Sequence, residues 1–244
     1  MRHGLVLGAS GDIGKAICQE LAQRGFSLYL HYHKNQQEVE NLQKSLQIRY
    51  PKQEFFMVSL DMTKSTPENM KKFCQEIFSL DTIVFAQGSS WYGLTEDMPF
   101  TEIRKLWQIH VETPILLLQK LAVKLRQHPF SRVIFIGSIY GEVGSGLEAV
   151  YSSVKAAQEG FVKSYAKEVA TENITVNLVA PGPVATKLLG DFTEEELQQV
   201  KEATPLLRLA DPSEIAYFVG VCAEKKASYL TGSILKVNAG WLGN

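Results

Sequence analysis

The sequence predicts an α/β protein, a doubly wound parallel sheet of about seven strands with helices on both faces. Three observations carry this expectation. Strand-like apolar runs alternate with helix-like amphipathic segments along nearly all of the 244 residues, the order that lays crossover helices over a parallel sheet. The strand runs are continuously apolar rather than alternating, as strands covered on both faces must be. A chain of this length that is 45% hydrophobic and 21% charged can also fill a core on each side of a sheet. No linker, repeat or low-complexity segment breaks the pattern, so a single domain over 1–244 is expected.

The expected strands, in order, are Gly4–Leu7, Leu28–Tyr32, Phe55–Leu60, Thr82–Phe85, Val133–Ile136, Thr175–Val179 and Ser233–Val237. Each is short, apolar and bounded by polar or glycine-containing segments. The helical periodicity falls in Ile13–Arg24, Glu38–Tyr50, Pro67–Phe78, Phe100–Arg126, Val154–Thr171 and Ser213–Ala223. Three longer irregular stretches remain, Gln87–Pro99, Gly141–Ala149 and Pro181–Leu209. The first two follow strands, where open α/β sheets bind ligands. The third carries an acidic helix-like run, Thr193–Lys201, and reads as a lid.

Composition removes several classes. The formal net charge is -1, which gives no electrostatic case for nucleic acid or an anionic membrane. Cys18, Cys74 and Cys222 are widely spaced and no histidines cluster, so neither a metal site nor a disulfide framework is expected. Buried free thiols are. Met1 to Gly4 lead straight into the first strand without a leader pattern, and no apolar run reaches the ~20 residues of a membrane span. A cytoplasmic location is expected.

The segment Gly8-Ala9-Ser10-Gly11-Asp12-Ile13-Gly14 follows the first strand and opens a helix. Glycines there let the backbone approach a pyrophosphate, and the helix N-terminus offers free N–H groups to it. A carboxylate at Asp12 would repel that anion, so its expected role is to cap the helix and point away. After the second strand the chain reads His31-Tyr32-His33-Lys34, with no carboxylate before Glu38. NAD discrimination needs an acid there. His33 and Lys34 would meet a 2′-phosphate instead, so NADP(H) is expected, with NAD(H) as the alternative.

Tyr151 and Lys155 are four apart at the start of a helix, hence on one face. A cation beside a phenol stabilises the phenolate and lowers its pKa, which suits the phenol to proton transfer with an alcohol or alkoxide. Ser138, just past the fifth strand, can hydrogen bond the same oxygen. The spacing alone is common on surface helices; its context gives it meaning.

Taken in order, the glycine turn, Leu60-Asp61, Gly88, Ser138, Tyr151/Lys155, Asn177–Gly182, Thr186, Pro205–Ala216 and Tyr229–Gly232 resemble the short-chain dehydrogenase/reductase family over essentially the whole chain. Within it the chain is most similar to the 3-oxoacyl-acyl-carrier-protein reductases. The resemblance implies a Rossmann-type fold with strand order 3-2-1-4-5-6-7, commonly a homotetramer, and a place in fatty acid biosynthesis. It implies Tyr151 as general acid/base, Lys155 on the nicotinamide ribose and Ser138 on the substrate carbonyl. Asp61 and Met62 would meet the adenine. Pro181, Gly182, Val184 and Thr186 would line the carboxamide pocket, and residues 186–208 would form the substrate lid. Gly8, Ser10, Gly11, Asp12, Ile13, Gly14, His33, Lys34, Ala86 and Gly88 complete the implied cofactor contacts.

Departures from the family pattern are equally specific. Its middle glycine falls at Asp12, and a basic residue common in NADP enzymes falls at Gly11. Its Asn-Asn-Ala-Gly motif reads Phe85-Ala86-Gln87-Gly88, which predicts the loss of side-chain bonds bracing the sheet. Its relay asparagine aligns with His110, which could hold a water, titrate near neutral pH, or simply pack. Basic residues that meet the acyl carrier fall near Pro129 and Glu172, and Glu172 would repel an acidic carrier. Lys163, Lys167, Arg126 and Arg132 are candidates to compensate. The loops offer Trp91, Tyr92, Leu94, Val143, Leu147, Leu188, Leu189 and Phe192 as walls of an apolar pocket. The expected function is therefore NADP(H)-linked reduction of a carbonyl, with a 3-oxoacyl thioester first. The alternatives are a reductase or dehydrogenase of a free hydrophobic ketone or alcohol, and a non-catalytic dinucleotide-binding sensor.

Overall fold

A computed structural model describes residues 2–190 and 192–241. Seven parallel strands form one sheet: β1 (Arg2–Leu7), β2 (Phe26–Tyr32), β3 (Phe55–Ser59), β4 (Thr82–Phe85), β5 (Ser131–Ile136), β6 (Ile174–Pro181) and β7 (Ile234–Val237). Their order is β3-β2-β1-β4-β5-β6-β7, as the resemblance implied. The direction of winding reverses between β1 and β4, and the crevice at that point is where such sheets bind ligands.

The continuous apolar runs are explained by burial on both faces. Leu5 and Leu7 of β1 face one core with Phe85, Phe135 and Val176. Val6 between them faces the other core, with Leu30, Val84 and Val179. The first core is closed by α3 (Pro67–Glu76), α5 (Thr113–Arg126) and α7 (Ala149–Glu168), through Phe73, Leu121 and Val162. The second is closed by α1 (Asp12–Gln23), α2 (Gln36–Arg49) and α9 (Pro212–Ala223), through Ile17, Leu42 and Val219. The three cysteines are buried free thiols. Among the described residues no helix is long and apolar enough to cross a membrane.

The expected helix over Phe100–Arg126 is interrupted. It begins as α4 (Phe100–Trp107), passes through a wide π turn at Gln108–Glu112, and resumes as α5. Pro114 is the sequence signal for this break. It has no N–H to give to the carbonyl of His110, four residues back. That carbonyl instead accepts a hydrogen bond from Gln158 Nε2 of α7 at 2.8 Å. The neighbouring carbonyl of Ile109 accepts from Gln87 Nε2 at 3.0 Å.

Gln87 thereby corrects a second expectation. The departure at Phe85–Gly88 does not leave the sheet unbraced. Gln87 ties the end of β4 to the π turn, and Phe85 stacks on Phe135 of β5 with ring centroids 4.5 Å apart. An amide bond and a ring stack stand where the family pattern would put asparagine bonds.

The irregular stretches also gain structure. A short helix, α6 (Tyr140–Val143), follows β5, and α8 (Glu194–Ala203) fills the acidic run of the third stretch. The start of α8 is fixed by a reciprocal cap. The Thr193 hydroxyl accepts the Glu196 N–H at 3.2 Å, and the Glu196 carboxylate accepts the Thr193 N–H at 2.8 Å.

Candidate active site

A cleft of about 930 Å³ opens at the carboxyl ends of the strands, from the turn after β1 to the loops after β4, β5 and β6. Its walls include Gly8, Ser10, Gly11, Asp12, Ile13, Gly14, His33, Asp61, Met62, Ala86, Gly88, Ser138, Tyr151, Lys155, Pro181, Gly182, Val184 and Thr186. Two expected residues do not line it. Lys34 is exposed beyond the rim. His110 is fully buried behind the wall.

The glycine turn is held by steric necessity. A Cβ on Gly14 would lie 2.0 Å from the Gly8 carbonyl oxygen, and Gly8 has φ +80° with the Gln87 backbone 2.6 Å from a would-be Cβ. Gly11 differs, since the nearest atom to its would-be Cβ is 3.5 Å away. The turn is braced by a residue the sequence reading passed over. His31, at 3% exposure, accepts the Gly8 N–H on Nδ1 at 3.1 Å and meets the Leu60 carbonyl with Nε2 at 3.0 Å. These partners require a neutral ring protonated on Nε2, and burial pushes its pKa down to about 4.

Asp12 does not cap its helix. Gly11 is the N-cap and makes no side-chain bond. Asp12 Oδ2 instead accepts the backbone N–H of Lys187 at 2.7 Å, tying the glycine turn to the segment after β6. Lys187 also reaches Glu38 at 3.7 Å, and Lys15 bonds the same carboxylate. At the end of β2, His33 Nε2 lies 3.5 Å from Asp61 Oδ2, while Thr63 donates its N–H and hydroxyl to Asp61 Oδ1 at 3.0 and 2.6 Å.

At the other end, Ser138 from the loop after β5 meets Tyr151 and Lys155 from α7. The Ser138 hydroxyl accepts the Tyr140 N–H at 3.2 Å and lines the cleft with the Tyr151 phenol. Lys155, at 3% exposure, donates Nζ to the Ile136 carbonyl at 2.9 Å and sits 5.5 Å from the Tyr151 ring centroid. Burial pushes the ammonium down to about 7.

The expected lowering of the Tyr151 pKa is not what the structure holds. Burial pushes the phenol up, the Glu148 carboxylate pushes the same way, and the Ser138 hydroxyl opposes them. Tyr151 is therefore a neutral phenol with a proton to give. His110 is corrected too. Burial first, then the charge of Lys155, push it down to about 3, so it does not titrate near neutral pH. Its Nε2 meets the Ser89 carbonyl at 2.9 Å, and its ring edge packs on Tyr151 with centroids 5.7 Å apart.

The outer part of the cleft is lined by Trp91, Tyr92, Leu188, Leu189 and Phe192, as expected. Leu94, Val143 and Leu147 are exposed outside it. Tyr140, Glu148 and Trp241 join the walls instead. The candidate carrier contacts change as well. Arg132 is 1% exposed and gives its guanidinium to the Glu224 carbonyl at 3.1 Å, so it cannot meet a partner. Arg126 is bound to Glu172 at 2.7 Å. Lys163 lies 3.4 Å from Glu159, and Lys167 is exposed.

Comparison with known proteins decides the family. A sequence model of the family described as enoyl-(acyl carrier protein) reductase matches residues 8–242. An uncharacterized oxidoreductase of Bacillus subtilis, YmfI, is 37% identical over 244 residues, covering 98% of each chain. The chain belongs to the short-chain dehydrogenase/reductase family. As a short-chain dehydrogenase/reductase it is an oxidoreductase acting on a carbonyl or an alcohol. It is also similar to the 3-oxoacyl-acyl-carrier-protein reductase FabG of Buchnera aphidicola, 30% identical over 240 residues and covering 98% of this chain and 96% of that one. Among solved structures, the L-sorbose reductase of Gluconobacter frateurii complexed with NADPH and L-sorbose superposes with a TM-score of 0.90 at 25% identity, covering 100% and 97% of the chains.

Proposed function

We propose that this chain reduces a carbonyl to a secondary alcohol with NADPH, and that a 3-oxoacyl thioester is its leading substrate. One observation carries the reading: a neutral phenol, a hydroxyl and a buried ammonium (Tyr151, Ser138, Lys155) meet at the inner end of a cleft whose other end is a glycine cradle.

The cradle fits a dinucleotide. The space over Gly11 is open while Gly8 and Gly14 are closed to any side chain, so backbone alone faces the pyrophosphate position. The Asp12 carboxylate is occupied by the Lys187 N–H rather than aimed at that anion. Asp61 and Met62 would hold the adenine, Lys155 the nicotinamide ribose, and Pro181, Gly182, Val184 and Thr186 the carboxamide. His33 is the remaining candidate for a 2′-phosphate, and the NADPH in the sorbose reductase supports the same coenzyme. When bound, the reduced nicotinamide supplies the hydride.

The chain's own groups do the rest. Ser138 holds the substrate oxygen, and Tyr151 donates its proton to the alkoxide that forms. A phenol held neutral favours the reductive direction. Lys155, its ammonium pushed down to about 7 by burial, stands 5.5 Å from the Tyr151 ring centroid on that side of the site. His110 packs against the Tyr151 ring and holds the Ser89 turn. We read the chain as one domain with residues 186–208 as lid, cytoplasmic, and a homotetramer in fatty acid biosynthesis on the family resemblance. The FabG relative supports an acyl substrate. A free hydrophobic ketone is the second reading, favoured by the aromatic outer walls and by the buried Arg132 and paired Arg126, which leave little basic surface for an acidic carrier.

The test follows reduced-cofactor loss with NADPH or NADH against 3-oxoacyl thioesters on carrier or CoA and a set of simple ketones. NADPH oxidation is expected, cut at least ~100-fold by Tyr151→Phe. Turnover that survives this substitution overturns the mechanism, and preference for NADH overturns the coenzyme. Equal rates for carrier-linked and CoA-linked substrate would show that the surface ignores the carrier.

A further inference from the structure

Glu148 is a carboxylate in the cleft wall that neither carries the hydride nor donates the proton. It precedes α7, three residues before Tyr151, and its carbonyl accepts the Ser152 N–H at 2.8 Å, so the backbone fixes where its side chain starts. Its carboxyl is partly buried, lines the cleft, and among the described residues takes one hydrogen bond, from the Ser145 hydroxyl at 3.2 Å. An ionised carboxylate offers about four acceptor positions, so most of its capacity faces the cleft rather than the protein.

Among the described residues no cation of the wall answers it. Lys155 gives its ammonium to the Ile136 carbonyl, Lys187 sits with Glu38 and Asp12 at the glycine-turn end, and no described arginine lines the cleft. Burial pushes the Glu148 pKa up, so its charge is held at a cost that an incoming donor would lower. It lines the same cleft as Tyr140 and Tyr151, and its charge pushes both phenols up. The same cleft is walled by Trp91, Tyr140 and Trp241, whose ring faces favour positive over negative charge.

We propose that Glu148 is a specificity-determining residue: its carboxylate accepts a hydrogen bond from a donor group, an ammonium or a hydroxyl, that the substrate carries near its carbonyl, and it rejects substrates bearing a carboxylate there. This rests on the carbonyl-reductase reading and, within it, favours the free ketone over the 3-oxoacyl thioester, which carries no such donor beside its 3-oxo group. The simpler role, pinning the Ser145 loop, is separable, because Glu148→Gln keeps an oxygen for the Ser145 hydroxyl and removes only the charge.

The experiment uses three ketones of matched size ending in a methyl, an amino or a carboxylate group, with the wild type and E148Q. It reads kcat/KM with NADPH and, independently of turnover, the Kd of each ketone from quenching of cleft tryptophan fluorescence. The amino ketone is expected to lead the carboxylate ketone by at least ~10-fold in the wild type, and E148Q is expected to shrink that ratio at least ~10-fold, or about 1.4 kcal/mol. Ratios are decisive because any change passed through Tyr151 is common to all three ketones and cancels. A wild type that prefers the carboxylate ketone, or equal Kd ratios in the two proteins, overturns the proposal. Ratios in Kd that shift while no ketone turns over would leave Glu148 its role and overturn the reductase reading instead.

Discussion

The two ends of the cleft are built from different materials. At the phosphate turn the wall is backbone, and what matters is the absence of atoms: Gly8 and Gly14 have no room for a methyl group. At the reactive end the wall is side chain, drawn from β5, α7 and the π turn, and what matters is the company each group keeps. Lys155 departs from ordinary titration because of burial, and Tyr151 because of burial with Glu148 beside it. A backbone site tolerates an odd neighbour such as Asp12 so long as the turn closes. A side-chain site changes its chemistry with every neighbour.

The largest effect that can break this contrast belongs to Lys155. Its pKa is held at about 7 against an ordinary 10.5. Between those values the unfolded chain binds the extra proton, so the wild type gains stability as pH rises through that window and loses it as pH falls toward 7. Lys155→Met removes this slope. Urea unfolding should show the wild type gaining about 3 kcal/mol on the variant from about pH 7 to about pH 9.5. Parallel stability curves would mean that the lysine titrates as an exposed one.

The next effect tests the backbone end. Gly14→Ala forces a methyl to 2.0 Å from the Gly8 oxygen and should cost about 1–3 kcal/mol of stability, with NADPH affinity lost in titration. Gly11→Ala meets its first neighbour at 3.5 Å and should stay within about 1 kcal/mol of wild type. Equal losses at both positions would remove the distinction between a closed and an open glycine.

The smallest effect lies where the glycine turn meets the segment after β6. Asp12→Ala frees the Lys187 N–H from its acceptor. The expected cost is about 1 kcal/mol, local to the segment after β6, read as roughly 5-fold faster amide exchange at Lys187. Unchanged exchange would show that Asp12 does not tether that segment.

The same contrast governs what the sequence made legible. The seven strands were readable because burial on both faces leaves a continuous apolar run in each. The glycine turn was readable because its constraint is local, a spacing after one strand. Tyr151 and Lys155 were readable as one turn of one helix. The misses all depend on contacts between distant segments. Lys34 was expected in the wall although the chain turns outward before it, whereas buried His31 braces the turn. Gln87 read as a lost brace because its partner, the Ile109 carbonyl, is released only by the π turn. Arg132 read as surface charge because its acceptors belong to the end of α9. The upward push on Tyr151 needed Glu148 in the same wall, and a fold folds that neighbour in without marking it in the motif.

The π turn at Gln108–Glu112 has a consequence for rotation. Each α-helical residue advances about 100° around the axis. One extra residue within a turn therefore rotates all that follows by about that angle. Leu106, before the joint, packs with Met98 and Val154 on α7. Leu117, Leu118 and Leu121, after it, face the sheet with Phe85 and Phe135. The rod is keyed at two angles, and a single-residue deletion in the joint would turn one key out of its lock while leaving every leucine in the sequence.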